Sequence, residues 1–422
     1  MVELKEKIKK HILSKSVQRS ERRIGIEVEC FIYTKNFNRI PVNKSKKYSA
    51  IDLLNELNDI NNDMNGTYSL EPGGQIEWSS PPCANMFELD DTLASYKSLI
   101  DNILRTRNLT SLYIGVEPFV DPDSIELIDQ KKYQLMNMNM EKRGSLGKWM
   151  MRNTSSIQVN YDIIDQRDLE EVMFIADCIH PISAYLFAHS PFQLGESVGK
   201  KNLRNHIWEN TDNSRCRSLL DHGIYNTDNL LDLYIRRMMK APGIFRLDNN
   251  LDIKESRLTL RDELEKKLSI NTLTSNDIQA ALHQIFTNVR LKNLIEIRDI
   301  DCLPFEYIIA PVAFLTGLIE NRSYRGELLS EFSSWTKKER KSWNELALQL
   351  DTDRGSVKNK KYIDWVKWVA ELAIDGLVKR KLGEEKYFID YYQNIIDNGP
   401  LSFQMQDSYS RSKKALKNFI FD

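Results

Sequence analysis

Side chains suited to a metal–phosphate site recur at even spacings, two or four residues apart, in four short segments. Glu27 and Glu29 lie in 23–33, and Glu71, Gln75 and Glu77 in 68–82. Gln158 and Asn160 lie in 156–161, and Glu296 and Arg298 in 293–298. Residues two apart on a strand point the same way, about 6.5–7 Å from each other. Each segment then shows these residues on one face, with Ile26, Val28 and Cys30, Ile157, Val159 and Tyr161, or Ile295 and Ile297 on the other. Any single segment reads equally well as an ordinary strand with a wet face. A solvated face, however, usually carries Thr, Ser and Lys, and here the positions are Glu, Gln, Asn and Arg with no Lys. Carboxylate and amide oxygens bind hard cations, and Arg binds anions such as phosphate.

The elements that must position these groups follow from the patterning. Residues 68–71 and 75–78 alternate like strands and are separated by Pro72, Gly73 and Gly74. Proline removes a donor and paired glycines let the backbone bulge. One kinked strand is therefore expected, carrying Glu71, Gln75 and Glu77 around open backbone. Further strands are expected at 112–117, 156–161 and 290–298, and amphipathic helices near 50–57, 87–107 and 168–189, the last with Pro181 inside it. The Met-rich run 134–141 reads as adaptable packing, 144–147 as a turn, and 149–154 as an apolar segment. From Thr227 onward the pattern is helical over roughly 227–240, 258–268, 275–287, 305–320, 338–350, 360–380, 384–396 and 405–418. No internal period and no Pro/Gly-rich linker divides the chain. The expected fold is α+β, one domain over 1–422. A mainly antiparallel sheet (about 20–300) lies under helices, and about 301–422 is helical.

A second polar group lies at 190–215. Arg204, Trp208 and Arg215 supply two guanidiniums and an aromatic plane, enough to hold a phosphate or carboxylate. Residues 195–201 are similar to a phosphate-binding P-loop, but the spacing is one residue short and Lys201 stands where Ser or Thr should ligate magnesium. A Walker A site is thereby excluded, and a glycine loop over a ligand is the remaining functional reading.

Composition limits the partners. Lys and Arg total 59 against 60 Asp and Glu, a net charge of −1, which argues against a general nucleic-acid or membrane-surface binder. The 5 cysteines show no CxxC and imply a reducing compartment without a thiolate metal cluster. No HExxH occurs among the 6 histidines. No apolar run reaches the length of a membrane span. The lysine-rich start has helical spacing (Leu4, Ile8, Ile12, Leu13) but no signal-peptide core, so a cytoplasmic protein is expected.

Several strings taken together are more specific than any one. They are Arg23-Ile-Gly-Ile-Glu27-Val-Glu29, Leu70-Glu71-Pro-Gly-Gly-Gln-Ile-Glu77, and Gly144-Ser-Leu-Gly147 followed by Arg152 and Gln158-Val-Asn160. Ser190-Pro-Phe, Arg204-Asn-His-Ile-Trp208, Asn210-Thr-Asp212 with Arg215, and Arg290-Leu-Lys with Glu296-Ile-Arg298 complete the set. Over nearly its whole length the chain resembles the glutamate–cysteine ligase family, in its plant and proteobacterial branch. It departs from the family at Cys30, where members often carry a basic residue, and in a short loop between the first two site strands.

The resemblance implies a curved sheet of the glutamine-synthetase and guanidino-kinase type. It also implies ATP-dependent joining of the γ-carboxylate of glutamate to the amino group of cysteine, through γ-glutamyl phosphate, as the first step of glutathione biosynthesis. The residues suit that chemistry. A carboxylate is a poor acyl donor until phosphorylated, and phosphoryl transfer needs positioning and charge neutralisation more than a covalent nucleophile. By resemblance, Glu27, Glu29, Glu71, Glu77 and Glu296 would hold two or three Mg2+ ions, with Gln158 and Asn160 as outer partners. Arg298, Arg215 and Glu296 would be catalytic. Arg152, Arg204, Trp208, Thr154 and Gln158 would bind the amino-acid substrates, and Gly73, Gly74, Gln75, Asn160 and Arg298 the ATP. The partners implied are small molecules alone, on a monomer or homodimer. Two rival enzymes share these features: a glutamate ligase using a different amine, and a phosphotransferase of related fold. A non-catalytic nucleotide-binding module is opposed by the full set of carboxylates and arginines.

Overall fold

The alternation at 23–33 becomes the longest described strand, β1 (Ile24–Thr34). Its β-branched residues suit a pleated, buried surface, and Ile26, Val28 and Ile32 are at most 1% exposed. The computed structural model describes residues 2–60, 66–351 and 355–421. Around β1 assemble β2 (Thr67–Leu70), β3 (Ile76–Ser79), β4 (Leu109–Leu112), β5 (Ser156–Tyr161), β6 (Val289–Leu291) and β7 (Ile295–Asp301). Their order is β6-β7-β5-β1-β3-β2, with β4 paired to the far half of β1, and every ladder is antiparallel.

Helices α1 (Val2–Ile12), α2 (Ala50–Ile60), α3 (Met86–Arg107), α4 (Lys131–Arg143), α5 (Gly147–Asn153), α6 (Gln166–Leu186), α7 (Leu203–Glu209), α8 (Leu230–Met238), α9 (Leu260–Ser269) and α10 (Ser275–Leu282) flank the sheet strands in sequence. The last third holds α11 (Ala310–Glu320), α12 (Arg322–Ser333), α13 (Lys337–Leu346), α14 (Tyr362–Arg380), α15 (Lys386–Asn398), α16 (Leu401–Arg411) and α17 (Leu416–Phe421). Helix α6 starts on an Asp165 cap, which accepts from the Asp168 N–H; it is buried over most of its length and packs against β7. Helices α11 and α14 cross so closely that a Cβ on Gly376 would lie 2.0 Å from the Gly317 carbonyl oxygen. One contiguous apolar core runs from Leu4 to Leu401. Among the described residues no helix is long and apolar enough to cross a membrane.

The sheet, the helical last third and most expected helices are present, but several local expectations are corrected. Residues 68–78 form a hairpin rather than one kinked strand. Strands β2 and β3 pair with each other, Leu70 opposite Ile76. The turn closes through Glu71 N–H to Gln75 O and Gly74 N–H to Glu71 O, both 2.9 Å. Gly74 sits at φ +77°, which glycine adopts without strain. The strand expected at 112–117 ends where that range begins; beyond it Val116 makes an isolated bridge to Thr154. The apolar 149–154 and Met-rich 134–141 segments fall mainly in α5 and α4, while α12 matches none of the expected helices.

Candidate active site

Directly paired residues of an antiparallel ladder share a face, so register alone carries the polar positions of distant segments to one surface. Glu77 stands opposite both Ser69 and Glu29. In the next row Glu27 is opposite Ser79 and Gln158. Beyond it Asn160 is opposite Gly25 and Glu296, and Glu296 opposite Arg290. A register shift between Ile297 and Ile300 marks a bulge in β7, which bends a strand and re-aims its side chains.

Above this face lies a cavity of about 380 Å3, with a carboxylate group and a cation group on its walls. Glu29 accepts from the Ser156 N–H at 3.0 Å, its hydroxyl at 2.9 Å and Gln158 Nε2 at 3.1 Å. Ser69 Oγ donates to Glu77 at 2.7 Å. Burial first, then the Glu77 charge, pushes Glu29 up to about 7. Burial and Glu29 raise Glu71 to about 7, and burial with Glu27 and Glu71 raises Glu77 to about 8. Carboxylates that raise one another in this way form a site short of positive charge.

The cations gather on Glu296. Arg290 contacts its Oε2, Arg298 lies at 2.8 Å and Lys292 at 2.6 Å. Burial opposes the Glu296 charge, but these three outweigh it and hold its carboxyl well below the ordinary range. Arg298 also donates to Gln158 Oε1, so Gln158 bridges the guanidinium and Glu29. The guanidinium carbons of Arg204 and Arg298 each stand 5.9 Å from the Trp208 ring centroid.

The structure brings Glu27, Glu29, Glu71, Gln75, Glu77, Thr154, Gln158, Arg204, Trp208 and Arg298 to the cavity wall. The other expected site residues lie elsewhere. Arg215 is fully buried away from the cavity; its three nitrogens donate to Asp212 and to the carbonyls of Gln284 and Pro242, which hold it where no phosphoryl group reaches. Arg152 donates to Pro122 O and Asn137 Oδ1 and braces the 122–124 turn against α4. Gly73 and Gly74 serve packing: a Cβ on Gly73 would meet the Arg152 backbone at 2.6 Å, and one on Gly74 would press on Val42 at 3.1 Å. Asn160 lies off the wall and donates to Glu27 at 3.2 Å. Glu296 sits beneath the cavity surface, 0% exposed, its charge already compensated by three cations, and it is a poor metal ligand in this arrangement.

Arg290, Lys292, Lys132 and His283 also line the cavity and were absent from the expected site. Arg290 and Lys292 had a signal, since they alternate at the start of the expected strand 290–298; that strand is in fact two, β6 and β7, joined by a turn at 292–294 that sets Arg290 opposite Glu296. Lys132 and His283 come from helix ends that only folding brings near. Burial, reinforced by Arg290 and Lys292, pushes His283 down to about 3, so its ring is neutral near pH 7. Residues 195–201 stay outside the cavity, and Gly199 is tied to Gln406 by its N–H at 2.7 Å.

Apart from the single ring of His283, the donors are carboxylate and amide oxygens, which suit magnesium rather than zinc. Among the described residues no three acidic, His or Cys groups converge on a single point. An ion here would be held by one or two carboxylates from Glu27, Glu29, Glu71 and Glu77, with water and phosphate oxygens completing its shell, as magnesium prefers.

The sequence profile of glutamate-cysteine ligase family 2 matches residues 23–409, a span that includes all seven strands of this sheet. The chain belongs to glutamate-cysteine ligase family 2. Among its relatives, a chloroplastic glutamate–cysteine ligase A of Oryza sativa subsp. indica is 30% identical over 64% of this chain and 56% of its own length. The chloroplastic glutamate–cysteine ligases of Medicago truncatula and Arabidopsis thaliana are each 29% identical over 78% of this chain. The chain thus spans 56 to 65% of the first two of these relatives. The crystal structure of a glutamate–cysteine ligase from Francisella tularensis in complex with AMP matches 96% of this chain and 88% of that one, with a TM-score of 0.61 and 11% identity. That likeness is one of fold.

Proposed function

We propose that this chain joins the γ-carboxylate of glutamate to the amino group of cysteine, consuming ATP and releasing ADP and phosphate, in the manner its relatives' names describe. The observation that carries the reading is the cavity itself, where charge-deficient carboxylates face a group of Lys and Arg side chains on one sheet surface. A carboxylate nucleophile, a triphosphate and divalent cations need both groups at once.

Glu27, Glu29, Glu71 and Glu77 would hold two or three Mg2+ ions, which when bound neutralise the phosphate oxygens. Arg298, braced by Glu296 and Gln158, orients the transferring phosphoryl group, and Arg290 and Lys292 keep Glu296 charged and in place. Arg204 and Trp208 offer a guanidinium and an aromatic plane to an amino-acid carboxylate. The substrate γ-carboxylate oxygen bonds to the γ-phosphorus as the bond to ADP breaks. The amine then attacks the acyl carbon, phosphate leaves, and the amine proton passes to solvent. A cytoplasmic setting is our reading from composition; the plant relatives are chloroplastic.

ADP release measured with glutamate alone and then with a panel of amines, with mass spectrometry of the product, tests the proposal. Mg2+-dependent γ-glutamylcysteine is the expected result. A product with another amine only, or a stable phosphorylated product, would overturn it.

A further inference from the structure

The cations of the cavity are unevenly committed. Arg290, Lys292 and Arg298 all rest on Glu296. Among the described residues Arg204 has no ion pair but donates to Arg298 O at 3.1 Å. Lys132 differs: it enters from the first turn of α4, lines the same cavity, and among the described residues has neither a carboxylate within ion-pair distance nor a side-chain hydrogen bond. Its ammonium lies 4.9 Å from the ring centroid of its neighbour Tyr133. The charges acting on it belong to Glu71 and Glu77 from the carboxylate group and to Arg290 and Lys292 from the cation group. It therefore shares the cavity with both groups, within electrostatic reach of each, and is ion-paired to neither. A largely desolvated ammonium without a partner costs free energy. The fold has reason to bear that cost if an anion arrives there.

We propose that Lys132 is a further catalytic residue that contacts the β,γ end of a bound nucleoside triphosphate and neutralises charge on the transferring phosphoryl group. This rests on the ATP-dependent reading above. In the transfer, a substrate carboxylate oxygen bonds to the γ-phosphorus and the bond from that phosphorus to the bridging oxygen breaks. The electron pair passes to ADP, and Lys132 keeps its proton throughout. The duller role for Lys132 is to offset Glu71 and shape the cavity, which would serve all nucleotides alike.

Calorimetric titrations with β,γ-methylene-ATP and with AMP, both in MgCl2, separate these roles without either amino-acid substrate. In Lys132→Gln the affinity for the triphosphate analogue should fall about tenfold while AMP affinity stays within twofold, because AMP lacks the phosphates that Lys132 touches. With glutamate and amine present, kcat should fall by about 10²-fold with amino-acid KM values within threefold, and Lys132→Arg should recover part of both losses. Equal losses for AMP and the analogue, or no loss for either, overturn the proposal. Lost analogue affinity with kcat intact also overturns it, since Lys132 would then bind without catalysing. If Lys132→Gln does not fold, Lys132→Arg and Lys132→Met carry the same comparison. Wild-type protein that binds the analogue but makes no γ-glutamylcysteine would sink the substrate assignment and leave the Lys132 contrast readable.

Discussion

Glu77→Gln should stabilise the metal-free protein while disabling it. Glu77 faces Glu29 across the β1–β3 ladder, and burial with the charges of Glu27 and Glu71 raises it to about 8. The folded state therefore holds a proton that the unfolded chain, near its ordinary 4.5, releases. Below pH 4.5 both states are protonated and the effect vanishes. Between 4.5 and 8 the fold is progressively penalised, and above 8 the full penalty applies. At pH 7 the span of about 2.5 pH units corresponds to about 3 kcal/mol. Glu27 and Glu71 share the repulsion, so one substitution should return about 2 kcal/mol of it. Glutamine keeps an oxygen for the Ser69 hydroxyl and removes only the charge. For a chain of this length, about 2 kcal/mol raises the thermal midpoint by about 2 °C. Differential scanning calorimetry in EDTA at pH 5 and pH 8 is the assay. The gain should appear at pH 8 and be nearly absent at pH 5, while Mg2+ should stabilise wild type more than the variant. Activity should fall at least about 10²-fold. A Glu77→Gln protein less stable than wild type at pH 8 without metal, or a difference independent of pH, would refute the electrostatic account of the site.

Arg298→Lys keeps a charge beside Glu296 but loses the planar fork, so kcat should fall by about 2–4 kcal/mol of transition-state stabilisation with modest change in ATP affinity; steady-state rates within about threefold of wild type would leave Arg298 a structural ion-pair residue. His189 is buried with Nδ1 2.9 Å from Cys302 O, and burial pushes it down to about 4. Its contribution is intact above pH 6.5 and is lost as pH falls towards 4, so urea unfolding should show wild type losing about 2 kcal/mol relative to His189→Asn between pH 7 and pH 5; parallel curves would contradict the neutral buried ring. Gly376→Ala drives a methyl into the Gly317 carbonyl, and calorimetry should show about 3 kcal/mol of destabilisation with the Mg2+ response preserved.

The sequence by itself determined which residues could do chemistry and which face they take. The alternation of Glu27 and Glu29 with Ile26, Val28 and Cys30 can bury its apolar half only by turning both carboxylates to the other side. The same parity put Gln158, Glu296 and Arg298 on the working face, and 3.6-residue periodicity located most of the helices. Tertiary structure decided what the spacing of one segment cannot encode. Whether 71–75 is a bulge or a turn depends on whether 67–70 pairs with 76–79, and that pairing turned a kinked strand into a hairpin. Arg215 and Arg152 carry the same guanidinium as Arg298, yet Asp212 and nearby carbonyls take the first and the 122–124 turn takes the second. Lys132 reaches the cavity because its neighbour Tyr133 donates to Leu70 O and ties the start of α4 to the hairpin, and no local pattern marks a lysine for that position. Residue type and parity are properties of a few consecutive positions, whereas the partner that claims a charge is chosen by segments far away in the chain.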